Sequence, residues 1–511
     1  MFTPRAFAVK SAATGQDEPR IQLDLLCRIT LFAFVALTLL LMFAAPNVLR
    51  YAFTVLCVLA GAVLYVRNKP AYFSFVLWIW MLAAWVHRMV DYNSQLSVEP
   101  SPVMVAPAAV TLLSAWALIT HARALARSHA LPFACAFAGI AYGAFIGFLN
   151  ANIGVLFVGK ALATWLPAIF FAFFVYFHQE ESERFRHAFN KTILYGLIVC
   201  SLYGLYQFFI LPPWDRFWMK SVAEEGVFGY PVPMLVRDFS TTSSSQGFAG
   251  FIMTCVIFVI GQPRGWLSYL AVGLGVFCLP LTEVRTSWLG LTVGILFLII
   301  ATNKRHRIHV VTLVLGAIVA VSCVFVIPPV RTIVSARIGT LLHLQEDAST
   351  MERIIGTRAA LHKAIHMPIG EGMGTMDTIH QVDLVKYRHA RYHGEIGPHD
   401  NSFVEILFSL GYLGSAFYIF GLEYGIYLSI HGRRTRDPFV ASMMAVVLAL
   451  LSVSFLDTIV GGWFAVMLWL ALAMSISSRQ EHQRAARSKP APFWMRTHDS
   501  ASASTPNTLR V

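Results

Sequence analysis

A turn-rich stretch from about Ile327 to Ser402 ends in Gly397-Pro398-His399-Asp400-Asn401-Ser402, just as an apolar run resumes. The sequence therefore delivers an imidazole, which titrates near neutral pH and can exchange a proton with a hydroxyl, to the end of a hydrophobic segment. A second constellation is Thr282-Glu283-Val284-Arg285-Thr286-Ser287-Trp288, an acid and an arginine between two apolar runs with too few residues for a long loop. Arginine stays protonated and grips phosphate oxygens with two parallel donors. Ionisable groups at the end of a span are functional candidates by default.

The elements that must position these groups are hydrophobic. With 57% apolar residues, 13% charged residues and a mean hydropathy of +0.63, the chain departs from soluble domains, where about 25% of residues are charged. It reads as an all-α polytopic integral membrane protein with about 12–14 transmembrane helices and a large periplasmic loop containing short helices. Some fourteen apolar stretches exceed the lower limit of roughly 17 residues for a span. The expected organisation is a cytoplasmic segment 1–25, a transmembrane bundle 26–211, a periplasmic loop 212–246, transmembrane helices 247–327, the large periplasmic loop 328–402, C-terminal transmembrane helices 403–476 and a disordered basic tail 477–511.

Positive charge orients the bundle, because short cytoplasmic loops accumulate Lys and Arg. Alternate loops carry Arg67 and Lys69, Arg123 and Arg127, Arg184 and Arg186, Arg264, Lys304 with Arg305 and Arg307, and Arg433 with Arg434 and Arg436. The intervening loops near Pro46, Asn150 and Asp457 carry almost none, so both long turn-rich stretches, and with them Arg285 and His399, fall outside. The net charge of +12 (39 Lys and Arg less 27 Asp and Glu) is then mostly a topology signal and not a nucleic-acid footprint. All seven cysteines lie in expected spans, so neither a disulfide framework nor a zinc site is implied. No metal site and no cofactor are expected.

The large loop has internal order. Ser349-Thr350-Met351-Glu352 reads as a capping box opening a helix that contains Arg353, Arg358 and Lys363. Pro368-Ile369-Gly370-Glu371-Gly372-Met373-Gly374-Thr375 stops that helix in a glycine-rich turn, able either to present backbone N–H groups to an anion or to serve as a solvated connection. Elsewhere, Lys160 sits a few residues inside the sixth span, placed to face an anion or to snorkel. Arg237 with Asp238 precedes the Ser/Thr run 240–245 and can equally form a surface ion pair. Glu283 and Glu405 are acids placed to hold an arginine.

Taken together, Leu281 to Gly290 with Arg285, the segment from Arg353 to Pro368-Ile369-Gly370-Glu371-Gly372, and the His-Asn element running into Phe403 to Gly414 resemble the O-antigen ligase and polymerase family. The resemblance runs from about Ser240 to Gly414. It implies a metal-independent, inverting glycosyltransferase of the bacterial inner membrane, consistent with the lack of an Asp-x-Asp element in the outer loops. The implied donor is a polyprenyl-diphosphate-linked glycan, the acceptor lipid A-core or a growing glycan, and the surroundings membrane lipids; the site faces the periplasm. Arg285, Arg353, Lys160 and Arg237 are the diphosphate-binding candidates, and Glu283, Asn401 and Glu405 support them. His399 is implied as general base, although Asp400 separates it from Asn401 where the family has histidine directly before Asn, Ser or Gln, so His399 or Asp400 fills the family position. A non-enzymatic flippase of lipid-linked oligosaccharides is the rival expectation.

Overall fold

In lipid every backbone N–H and C=O must find its partner within the chain, and a run of about twenty apolar residues solves this by forming a helix. The computed structural model describes residues 23–222, 228–262, 265–324, 357–358, 360–375, 401–431 and 437–487. Among them every regular element is helical, with one isolated antiparallel bridge between Gly229 and Val236.

The helices are α1 (Leu25–Ala44), α2 (Pro46–Arg67), α3 (Lys69–Ser94), α4 (Ala106–Leu112), α5 (Ala115–Thr120), α6 (Leu131–Leu149), α7 (Val155–Phe177), α8 (Ser182–Ile210), α9 (Pro213–Ser221), α10 (Ser245–Gly261), α11 (Trp266–Leu281), α12 (Arg285–Ala301), α13 (Lys304–Val324), α14 (Ser402–Ile430), α15 (Pro438–Val453) and α16 (Gly462–Arg487). Among the described residues, eight segments are long and apolar enough to cross a membrane, and shorter apolar helices of 10–17 residues accompany them. The chain is thus an all-α, multi-pass membrane protein.

Helix starts follow local chemistry. Asp24, Asn68, Ser244, Asn401 and Asp437 each cap the helix that follows by accepting backbone N–H bonds. Where hydropathy sees only the apolar part, the helices run on: α8 starts at Ser182, well before the apolar stretch, and α16 continues to Arg487, beyond the boundary at 477. The fourth span is broken into α4 and α5 with a 3-10 turn at Pro102–Val105. The stretch 212–246 contains α9, and its Asp215 is fully buried.

α14 lies along α6 through small residues. A Cβ on Gly139 would strike the Gly414 carbonyl, and one on Gly421 would press on Pro132, so the two backbones approach closely. α14 is also kinked: Gly411 has φ 62°, inside an otherwise helical run. Its backbone bears directly on Ile369 and Gly370 of the glycine-rich turn, a contact that leaves no room for a side chain.

Candidate functional site

That turn is neither of the things the sequence allows. Glu371 N–H donates to Phe408 O and Met373 N–H donates to Gly143 O, each at 2.9 Å, while Tyr412 N–H donates to Pro368 O at 2.8 Å. Gly370, Gly372 and Gly374 all have φ between 81° and 97° and press on Gly411, Gly147 and the Phe157–Val158 backbone respectively. The N–H groups of Glu371 and Met373 are therefore spent on the protein rather than offered to an anion. The turn is a wedge packed between α6, α7 and α14. Lys363 reinforces it, 2.7 Å from Glu371 and over the Phe408 ring.

The start of α14 is fixed as firmly. Asn401 Oδ1 accepts from Phe403 N–H and Val404 N–H, and its Nδ2 donates to Phe455 O at 3.0 Å. Ser402 donates its N–H to Ser454 O and its Oγ–H to Asp457 O, and the same oxygen accepts from Ile459 N–H. Glu405, one turn on, accepts from the Thr458 hydroxyl. Glu405 thus helps hold the α15–α16 link. His399, Asp400 and Arg353 lie outside the described residues, as does the capping box at 349–352. The residues directly after His399 and Asp400 are nonetheless anchored to a chain segment more than fifty positions away.

Arg237 and Asp238 do not form a surface pair. Arg237 Nε lies 3.9 Å from Glu283 and 3.4 Å from the Thr282 carbonyl, so it joins the Glu283-Arg285 constellation. Glu283 itself has φ 58° at the sharp junction between α11 and α12, a left-handed conformation costly for a non-glycine residue and of the kind that gathers at functional sites. Arg285 opens α12, half-buried. Asp238 is fully buried. Its Oδ1 accepts from Ser240 N–H at 3.0 Å, its Oδ2 makes no hydrogen bond, and burial pushes its carboxyl up to about 8.

The group that organises this region is Arg88 of α3, which charge counting over loops passes by. Its Nε lies 2.7 Å from Asp215, and its two terminal nitrogens donate to the Thr242 and Ser240 carbonyls. Gln207 completes the clamp, accepting from Phe239 N–H and Ser240 N–H while donating to Asp215. Arg88 also lies over the Phe239 ring at 4.9 Å. One turn away Asp91 accepts from Arg50 at 2.9 Å, with the His87 ring 3.0 Å from its other oxygen, a second buried cluster at the same end of the bundle. The sequence signal was present in His87, Arg88 and Asp91, ionisable groups inside an apolar 26-residue helix.

These anchored segments border one cavity of about 340 Å³. Its walls are the Thr242–Gly247 segment fixed by Arg88, the Asp457–Thr458 link tied to Ser402 and Glu405, Gly461 to Phe464, and Trp80 with Ala83 and Ala84 of α3. A Cβ on Gly461 would strike Thr164, and the Thr164 hydroxyl donates to the carbonyl of Lys160, an exposed residue one turn nearer the start of α7. Ser402 and Glu405 are thus tied to this cavity wall through Asp457 and Thr458, and Thr164, one turn from Lys160, packs on it at Gly461. A separate apolar groove of about 280 Å³ runs between α14 and the α15–α16 hairpin, beginning at Ser402 and Phe403.

The matched portion of the chain contains the α11–α12 junction and the start of α14 but none of the residues that line the cavity. Residues 270–419 match a family described as O-antigen ligase, a span that includes Glu283, Arg285, Arg353, His399, Asp400, Asn401, Glu405 and Gly411 and leaves Lys160 and Arg237 outside. No curated protein and no solved structure matches the chain.

Proposed function

We propose that this chain, whose residues 270–419 match the O-antigen ligase family, is a membrane glycosyltransferase that transfers a glycan from a polyprenyl diphosphate to an acceptor hydroxyl. The acceptor is lipid A-core if the chain is a ligase and the end of a growing glycan if it is a polymerase; the site faces the periplasm of a bacterial inner membrane.

The observation that carries this reading is the junction between α11 and α12, inside the stretch that matches the O-antigen ligase family, where Arg237 lies 3.9 Å from Glu283, two residues before Arg285. The reaction breaks the bond between the anomeric carbon and the diphosphate and forms one to the acceptor oxygen. Negative charge grows on the leaving group, and Arg285, with Arg353, Arg237 and Lys160, supplies fixed cations to stabilise it without a metal. His399 takes the acceptor proton as the new bond forms, and Asp400 is the alternative for that role. Attack opposite the leaving diphosphate inverts the anomeric centre. The apolar groove beside α14 offers the polyprenyl chain a lateral approach from the bilayer.

The test is purified protein with lipid-linked donor and acceptor and no membrane gradient. A new glycosidic bond supports transfer, and movement of the lipid-linked glycan across a vesicle without bond formation would replace it with a flippase. Product analysis in cells then separates the two acceptors: single repeats on lipid A-core mark loss of a polymerase, long chains left on the polyprenyl carrier mark loss of a ligase.

A further inference from the structure

We propose that the cavity of about 340 Å³ bordered by Thr242–Gly247 and Asp457–Thr458 is a subsite for uncharged sugar residues, distinct from the cationic groups that hold the diphosphate. It rests on the transfer reading for the identity of its glycan. Its volume falls within the range of roughly 300–1,000 Å³ for small-molecule sites.

The lining decides the ligand class. Among the described residues no lysine, arginine or histidine faces the cavity, whereas Asp457 does, 2% exposed. Among these described lining residues a diphosphate would meet no counter-charge. An alkyl chain would strip water from Ser243, Gln246 and Thr458 and give nothing back. A sugar satisfies both halves of the surface: its hydroxyls exchange bonds with the Ser243 hydroxyl and the Gln246 amide, while its C–H faces lie on aromatic rings.

Two indoles are held ready for that. Trp80 Nε1 donates to Thr111 Oγ1 at 2.9 Å and Trp463 Nε1 donates to Thr254 Oγ1 at 3.0 Å, so each ring is fixed through its nitrogen to a neighbouring helix. Rings immobilised in advance lose little conformational freedom when a ligand docks. The opposite wall is just as rigid, since Asp457 O accepts from Ser402 and Thr458 bonds Glu405. The subsite is therefore registered against the helix start that follows His399.

Ser243 is exposed at the rim and Gln246 half-buried in the wall, so Ser243→Trp blocks the cavity and Gln246→Ala removes an amide without disturbing buried charges. The probes are neutral oligosaccharides released from the producing cell's own surface polysaccharide, and inorganic pyrophosphate, each titrated against the full-length detergent-solubilised protein. Oligosaccharide binding should weaken at least ten-fold in both variants with pyrophosphate binding unchanged. Unchanged oligosaccharide binding in both, or a selective loss of pyrophosphate, overturns the assignment.

Kinetics separate the source of the sugar: a KM rise confined to the acceptor assigns the subsite to the acceptor glycan, and one confined to the donor assigns it to the donor glycan. If Ser243→Trp and Gln246→Ala transfer glycan with both KM values intact, the subsite is wrong and transfer stands. If wild-type protein binds the oligosaccharide through Ser243 and Gln246 yet forms no glycosidic bond, the transfer reading fails and the subsite stands.

Discussion

Arg88 and Asp215 are joined by a 2.7 Å ion pair across 127 residues of sequence, with side-chain exposures of 1% and 0%. Removing one member of such a pair leaves an uncompensated buried charge, which costs about 3–5 kcal/mol. Arg88→Met should therefore lower thermal stability in detergent sharply and free the 240–242 carbonyls it holds. The double variant Arg88→Met/Asp215→Asn should cost less than the sum of the two single changes. Strict additivity would show that the two residues stabilise the fold independently.

Asp238 makes stability depend on pH. Its carboxyl, pushed up to about 8 by burial, keeps its proton in the folded protein at pH values where an unfolded aspartate, near 3.9, has lost it. The folded state binds the extra proton, so the stability contribution is complete below about pH 4 and is lost as pH rises through about 8. Wild-type protein should melt at a lower temperature at pH 8.5 than at pH 5.5, and Asp238→Asn should narrow that gap. An equal gap in the variant would assign the dependence to other groups.

For Arg285, lysine keeps the charge and loses the two-pronged grip. Arg285→Lys should lose about 2 kcal/mol of transition-state stabilisation, roughly 30-fold in kcat/KM, with expression intact. Arg237→Lys should be milder, because Arg237 is already engaged with Glu283 and Thr282 O. Near-normal rates for Arg285→Lys would move the search for the diphosphate site to Lys160.

His399→Ala should lose roughly 10² to 10⁴ in rate while donor binding persists, as for removal of a general base. Asp400→Asn should be mild, since Asn401 and not Asp400 caps α14. The reverse ranking assigns the base to the carboxylate. Asn401→Ala should cost about 1 kcal/mol of stability for the lost cap and in addition free the Phe455 carbonyl.

Orientation is checked with single cysteines at exposed sites. Tyr230, 72% exposed, should label with an impermeant thiol reagent in cells permeable only at the outer membrane, and Arg184, on the opposite end, should not. The opposite pattern places the candidate site in the cytoplasm.

The apolar helices were legible because a bilayer demands long runs of one kind of residue, and no tertiary contact is needed to see them. Polar extensions were not: Glu183 to Lys191 continue α8 without adding hydropathy. Gly411 lies in the Phe403 to Gly414 stretch that carries the resemblance, and its positive φ and its contact with Ile369 are the physical reason for a glycine there. The packing of the glycine-rich turn is invisible in the sequence because its partners, Gly143, Gly147 and Phe408, lie on other helices and leave no local pattern. The role of Arg88 leaves no local pattern for the same cause, since Asp215 and the Ser240 and Thr242 carbonyls meet it only after folding.

The seam at residue 402 looks like a natural cut point between loop and helix, and the Ser402 side chain argues against using it. Its oxygen is bonded on both sides to the link at Asp457 and Ile459, and the glycine of the kink downstream is pressed against the turn upstream. Recombination between relatives at that seam would part each of these from its mate. The heritable unit is instead one block from Pro368 through Ile459, and a chimera built to inherit another relative's selectivity should carry that block whole, along with the α6 face that receives it.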